Sequence, residues 1–325
     1  MKSKLEQMFD LELPIIMAPM FLVSNTAMII AAGKSGITGA IPALNFKTIA
    51  ELKSAIREIK QNCPKTFGVN LIVNQSNFQI KDQLHACLDE GVDYFITSLG
   101  SPKAVIEAAK NKAKVFCDVI DLNYAQKVEQ MGADGIIAVN SGAGGHAGKI
   151  PASVLIPMLK KHCDLPIISA GGVGSGSGIL SMLDLGADGL SIGTLFIASN
   201  ESPVSAEYKQ ACIDYGAQDI VMSTKISGSP CTVINTPYVK KIGTQQNKLE
   251  SFLNKNKKFK KYVKMLTYYK GTKAIEKAAF SATYKTVWCA GPTIEFVNEK
   301  QSVEVIVEKL RSEFIQALEN ELRNR

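Results

Sequence analysis

Residues 166–194 read PIISAGGVGSGSGILSMLDLGADGLSIGT, and the fold turns on how this stretch is divided. Two short apolar runs, 166–170 and 189–192, flank a segment of helical period near 176–185. Each run ends in a turn of small residues, Gly171-Gly172-Val173-Gly174-Ser175-Gly176 after the first and Gly193-Thr194 after the second. A buried strand, a glycine turn, a helix and a second buried strand make one unit of a parallel sheet.

Toward the N-terminus the same alternation returns six times. Strand-like runs lie at 13–18, 36–40, 66–71, 94–98, 114–119 and 135–139, with helical segments near 24–34, 48–61, 78–90, 102–111, 123–131 and 151–162. Eight strands with a helix after each of the first seven close a (β/α)8 TIM barrel, whereas an open doubly wound sheet stops at about five or six strands. The phrase Gly132-Ala133-Asp134-Gly135 precedes strand six, and Gly186-Ala187-Asp188-Gly189 precedes strand eight. A glycine helix cap followed by a tight turn explains both copies and places them on the stabilising face of the barrel, away from any site.

Beyond residue 199 the alternation stops. One extended stretch, 220–234, is broken by Gly228 and Pro230, and a lysine-rich segment, a short loop near 288–292 and a last helix over 303–323 follow. The expected organisation is a barrel over 1–202, an inserted or appended, mostly helical lid over 203–285, and a C-terminal loop and helix, 286–325, that packs back on the barrel.

Composition narrows the class. No stretch approaches the roughly 20 apolar residues that span a bilayer, and acids stand where a signal peptide would be apolar, so a cytoplasmic protein without a membrane partner is expected. The seven cysteines are scattered singly, without CxxC or metal-ligand spacing, which argues against a disulfide framework and against a metal site. Between residues 240 and 277 twelve lysines meet only Glu250 and Glu276. That run reads as a solvated helical face or as a docking surface for an acidic partner. Few aromatics stand at stacking distance within it, so nucleic acid is not expected.

In a barrel the active residues sit on the loops after the strands, and phosphate binds after strands seven and eight. The loop at Gly171–Gly172 lets backbone amides approach an anion at a helix N-terminus, and Ser191-Ile192-Gly193-Thr194 offers a second amide nest with a hydroxyl. A Rossmann reading of the first loop fails, because the loop comes late in the chain and no acid ends the following strand at the usual spacing. Strand six ends in Asn140-Ser141-Gly142-Ala143-Gly144-Gly145-His146-Ala147-Gly148. Four glycines around one histidine offer no apolar surface for packing, so His146 is the candidate acid or base. Met17-Ala18-Pro19-Met20 could flank a flat ring, and Asn70 could hydrogen-bond a heterocycle edge. Ser98 and Asp118 close strands four and five and suit either turn capping or function.

These phrases, with Gly68-Val69-Asn70-Leu71, stand in an order that resembles the nitronate monooxygenase family, formerly 2-nitropropane dioxygenases, from about residue 10 to 235 and more loosely to the C-terminus. The same combination marks FMN-dependent enoyl-acyl-carrier-protein reductases. The resemblance implies non-covalent FMN, with Asn70 on the isoalloxazine, Gly144 and Gly145 near the ring beside Ala18, Pro19 and Met20. Gly171, Gly172, Ser191, Ile192, Gly193 and Thr194 would surround the phosphate, and His146 would stand beside flavin and substrate. Ser98, Asp118, Ser141, Ala290 and Gly291 fall in the same vicinity. The implied activity is oxidation of a small nitronate by flavin and dioxygen to a carbonyl compound and nitrite, with a homodimer as a possible assembly. Alternatives are an enoyl-thioester reductase using NAD(P)H and a flavin-binding module without catalysis; an IMP dehydrogenase would need a cysteine on the loop after strand six, where none stands. Two departures stand out. Val139 replaces a frequent glutamine, leaving a flavin hydrogen bond missing or supplied by Asn140 or Ser141, and Pro292 replaces the glutamine of a frequent Ala-Gly-Gln.

Overall fold

A computed structural model describes residues 2–74, 77–224, 230–245 and 287–324. Eight parallel strands close on themselves: β1 (Ile15–Met17), β2 (Thr38–Pro42), β3 (Gly68–Ile72), β4 (Tyr94–Ser98), β5 (Lys114–Val119), β6 (Gly135–Val139), β8 (Ile167–Ala170) and β9 (Gly189–Ile192). The ring is completed where β9 pairs with β1 through Ile16 opposite Ser191 and Met17 opposite Ile192. Every residue of β1, β2, β8 and β9 is buried. Strands covered on both faces become continuous apolar runs rather than alternating ones, which is why these segments stood out in the sequence.

The outer ring consists of α2 (Thr26–Lys34), α3 (Ile49–Asn62), α4 (Ile80–Asp89), α5 (Lys103–Ala109), α6 (Leu122–Gln130), α7 (Ala152–His162) and α8 (Gly176–Asp184). The eighth place is taken by the C-terminal helix, Val303–Asn324, which lies between α8 and α2. Arg311 fixes that position by an ion pair to Glu12 at 2.9 Å and a hydrogen bond to the Ser35 carbonyl at 2.9 Å. The last helix is therefore the barrel's own eighth helix, separated from its strand by about a hundred residues.

A short helix, α1 (Lys4–Phe9), plugs the opposite mouth. Ser3 and Glu6 form a capping box at its start, which satisfies two otherwise orphan amides. Leu5, Phe9 and Leu11 enter the barrel among Ile16, Tyr94, Phe116 and Ile168, and Phe9 stacks on Tyr94 with ring centroids 4.9 Å apart. A Cβ on Gly189 would lie 2.5 Å from Leu5 Cδ2, and one on Gly135 2.4 Å from Phe116 Cε1. The last glycine of each repeated phrase is thus the hole that the floor fills. The aspartates of the same phrases hold neighbouring strands, since Asp134 accepts from the Val115 amide and Asp188 from the Ile167 amide.

The described part of 203–285 contains α9 (Ala206–Asp214), the antiparallel pair β10 (Ile220–Ser223) and β11 (Cys231–Ile234), and α10 (Pro237–Ile242). Within the extended stretch 220–234 the described residues include the strand pair β10 and β11, with Pro230 immediately before β11. On its other edge β11 pairs with β7 (Gly145–His146), the loop after β6. Residues 246–286, with most of the lysine-rich segment, lie outside the described residues. Among the described residues no helix is long and apolar enough to cross a membrane.

The floor cluster is expected to be a stability determinant: Phe9→Ala should lower the unfolding free energy by about 3 kcal/mol, read from urea denaturation. A loss below about 1 kcal/mol would show that α1 rests on the barrel without closing it.

Candidate active site

At the strands' C-terminal ends lies a cavity of about 290 Å³, near the lower end of the range for small-molecule sites. Ala18, Pro19, Met20, Asn70, Ser98, Asp118, Gly144, Gly145, His146, Gly171, Gly172, Ser191, Ile192, Gly193 and Thr194 all line it. Residues from every part of the barrel therefore meet at one place. Ser141 does not line it: it is exposed, and its amide donates to the Ile150 carbonyl at 3.0 Å. Ala290 and Gly291 stand behind the wall, where the Gly291 amide donates to Thr194 Oγ1 at 3.0 Å.

At one end of the cavity the loops after β6 and β8 touch each other through backbone. The Gly172 amide donates to the Gly142 carbonyl at 3.1 Å, and the Asn140 side chain bridges the loops by donating to the Gly171 carbonyl at 3.0 Å while accepting from the Gly142 amide at 2.8 Å. Gly171 and Gly172 have φ of +110° and +79°, conformations that glycine adopts without a Cβ penalty. A Cβ on Gly171 would meet the Ala143 amide nitrogen at 2.3 Å, whereas one on Gly172 would point into open space, with Asn140 Oδ1 nearest at 4.0 Å. The first glycine serves loop contact and the second leaves the cavity clear.

The expected helix N-terminus is otherwise employed. The Gly176 amide donates to Glu313 of the C-terminal helix at 2.8 Å, and a Cβ there would lie 2.1 Å from the Phe314 nitrogen. Gly174 is likewise packed, against the Phe296 ring. These two glycines admit the C-terminal segment, and the Gly176 amide at the start of α8 is taken by Glu313. Since the Gly172 amide is spent on Gly142, the donors left at this end of the cavity are the amides of Gly193 and Thr194, which have no partner among the described residues, and the Thr194 hydroxyl, which accepts from Gly291 and keeps its own proton to give. Neither lysine nor arginine stands among the described lining residues; what these offer a negative charge is amide dipoles and hydroxyls.

His146 is held by architecture that its own loop does not reveal. It pairs with Cys231 across β7 and β11, and the Thr232 hydroxyl reaches the carbonyls of Ala143 at 2.8 Å and Gly145 at 3.2 Å. The glycine loop that looked costly to order is ordered by strand addition. A Cβ on Gly144 would strike the Gly291 nitrogen at 2.8 Å, so the C-terminal segment clamps the same loop from behind.

Across the barrel, at the ends of β3, β4 and β5, runs a polar chain. Asn70 spends both amide hydrogens, on the Ile96 carbonyl at 3.0 Å and Ser98 Oγ at 2.8 Å, and Ser98 in turn donates to Asp118 at 2.5 Å. The Asn70 carbonyl is left as an acceptor toward the cavity, suited to an N–H on a heterocycle edge. Burial pushes the Asp118 carboxyl up to about 6, and the Ser98 hydrogen bond only partly offsets that rise. Ser98 and Asp118 thus belong to the site. Asn140 is fully committed and Ser141 faces away, so neither replaces the glutamine missing at Val139. Thr293, next to Pro292, does line the cavity and brings a hydroxyl.

Tyr208, Cys231, Cys289 and Thr293 were not anticipated as site residues. All come from beyond residue 203 and carry no spacing signal, because a hairpin and the chain's return bring them in. Leu99, at φ +60° after β4, also lines the cavity. A branched residue held there is strained, and such strain collects at functional sites.

The cavity thus brings the glycine turns, His146 and the Asn70–Ser98–Asp118 chain together at one end of the barrel. Residues 77–313, well over half of the chain, match the family model for nitronate monooxygenase. The chain belongs to the nitronate monooxygenase family, and membership implies a flavin. It is 28% identical over 240 residues to a Rhodococcus jostii (3aS,4S,5R,7aS)-5-hydroxy-7a-methyl-1-oxo-octahydro-1H-indene-4-carboxyl-CoA dehydrogenase, covering 74% of this chain and 67% of the relative. Against a probable nitronate monooxygenase of Staphylococcus aureus it is 25% identical over 296 residues, covering 77% and 83%. Among solved structures, FabK from Thermotoga maritima superposes with a TM-score of 0.86 at 26% identity, over 100% of this chain and 99% of the other.

Asp118 yields a pH test. Its folded value exceeds its unfolded one, so the stability it contributes is complete below about pH 4 and is lost as pH rises through about 6. Asp118→Asn should abolish that decline, which amounts to about 1–3 kcal/mol, as read from denaturation between pH 4 and 7. An unaltered pH profile would mean that the carboxyl is not buried as described.

Proposed function

We propose that the protein is an FMN-dependent nitronate monooxygenase that oxidises small alkyl nitronates with dioxygen to a carbonyl compound and nitrite. The observation that carries this reading is one cavity lined by both small-residue turns, Gly171–Gly172 and Gly193–Thr194, together with His146. The flavin, when bound, supplies the redox chemistry by taking electrons from substrate and passing them to dioxygen. The phosphate would rest on Gly172, Ser191, Ile192, Gly193 and Thr194, with the ring toward Ala18, Met20 and Gly144 and the Asn70 carbonyl receiving a ring N–H. His146 would stabilise the anionic substrate or hold its proton, and the wall of Ile96, Ile137 and Val139 excludes water from the floor.

A second reading is reduction of an enoyl thioester by NAD(P)H. The likeness to a carboxyl-CoA dehydrogenase and to FabK supports it, since both readings use the same flavin end of the cavity. Anaerobic mixing separates them: bleaching of the flavin by a nitronate but not by NADH is expected, and rapid bleaching by NADH would favour the reductase.

Two variants probe the assigned roles. His146→Ala should retain flavin and lose turnover roughly 10²-fold or more, the scale of acid–base catalysis; unchanged kinetics would remove His146 from the mechanism. Gly172→Leu puts a side chain in the open space of the phosphate turn and should weaken flavin binding at least about tenfold with the far-ultraviolet circular dichroism unchanged. A fully loaded yellow Gly172→Leu protein would contradict the placement of the phosphate.

A further inference from the structure

The cavity wall carries a pair of thiols that the proposed oxidation does not use. Cys231 begins β11, directly across from His146, and Cys289 lies on the returning segment before the C-terminal helix. Their sulfurs are 3.7 Å apart although 58 residues separate them in sequence, and both line the cavity. The backbone on each side is fixed. The Ile234 amide donates to the Trp288 carbonyl at 2.9 Å, the Tyr208 hydroxyl donates to the Cys289 carbonyl at 2.5 Å, and Tyr208 stacks on Trp288 with centroids 5.7 Å apart. No other pair of the seven cysteines is in contact among the described residues.

We propose that Cys231 and Cys289 form a reversible disulfide site in the cavity wall, oxidised by hydrogen peroxide. A disulfide needs its sulfurs at about 2.05 Å, and side-chain rotation can close most of the remaining gap where the backbone already holds the two residues together. The two thiols are not equivalent. Cys231 is buried, with 1% of its surface exposed, while Cys289 is half-buried and meets the cavity. The hydrogen bond with Cys289 and burial hold the Cys231 thiol well above its ordinary range. Cys289, the more exposed of the two on the cavity side, is the sulfur that peroxide reaches first.

In the first step the Cys289 thiolate attacks one peroxide oxygen. The O–O bond breaks, giving a sulfenic acid and, after protonation, one water. In the second, Cys231 sulfur attacks the sulfenic sulfur; the S–S bond forms, the S–O bond breaks, and the thiol proton leaves with the hydroxide as a second water. Two thiols lose two electrons and two protons, and one peroxide becomes two waters. The bond would staple the hairpin that positions His146 to the segment that clamps Gly144. Thiolate attack needs no flavin, so this inference stands apart from the assignment of substrate.

The test treats the purified full-length protein with a modest excess of hydrogen peroxide, blocks remaining thiols with maleimide after denaturation, and maps peptides by mass spectrometry. Expected are the loss of two of the seven thiols, one peptide pair joined through 231 and 289 and two hydrogens lighter, and full recovery with dithiothreitol. Cys231→Ser should halt at a dimedone-reactive sulfenic acid on Cys289, and Cys289→Ser should slow thiol loss at least about tenfold. Seven thiols surviving peroxide, a cross-link between other cysteines, or unslowed oxidation in Cys289→Ser would each overturn the proposal.

Discussion

The site depends on backbone meeting backbone. The loops after β6 and β8 and the returning segment at Gly291 approach so closely that Gly142, Gly144, Gly171 and Gly291 have no room for a Cβ, and the bonds Gly172 to Gly142, Asn140 to Gly171 and Gly291 to Thr194 join them to the loop after β9. In the proposed reading a phosphate would meet amides and hydroxyls that are oriented before it arrives. The cavity's shape, the reach of His146 and the access to the floor all follow from that contact.

The rest of the fold serves to hold those loops in register. The barrel supplies strand ends at fixed spacing, α1 fills the far mouth, and the C-terminal helix docks on Gly174 and Gly176 through Glu313, Phe314 and Phe296. The chain's return before that helix also delivers Gly291, Cys289 and Thr293 to the cavity wall. One excursion between the eighth strand and the eighth helix thus completes the ring and finishes the site.

Much of this was legible in the sequence, for reasons that can be named. Buried parallel strands are continuous apolar runs, so all eight were found within about two residues of their observed bounds. Backbone contact demands glycine, so the loops after strands six, seven and eight announced themselves. The roles of individual glycines did not, because a glycine that keeps a cavity open and one that admits a helix read alike: Gly172 is the first kind, Gly176 the second. Strand addition by β11 to β7 was hidden, since pairing with a two-residue strand leaves no periodicity. Cys231 and Cys289, scattered in sequence, are neighbours only because that hairpin and the C-terminal return cross at one wall.

The most direct measurement of the central claim is the visible spectrum of the freshly purified protein, with the released chromophore identified by mass. One FMN per chain, reconstitutable after removal, is the expected result. A colourless protein that refuses added FMN would contradict the assignment of the joined loops as a phosphate site.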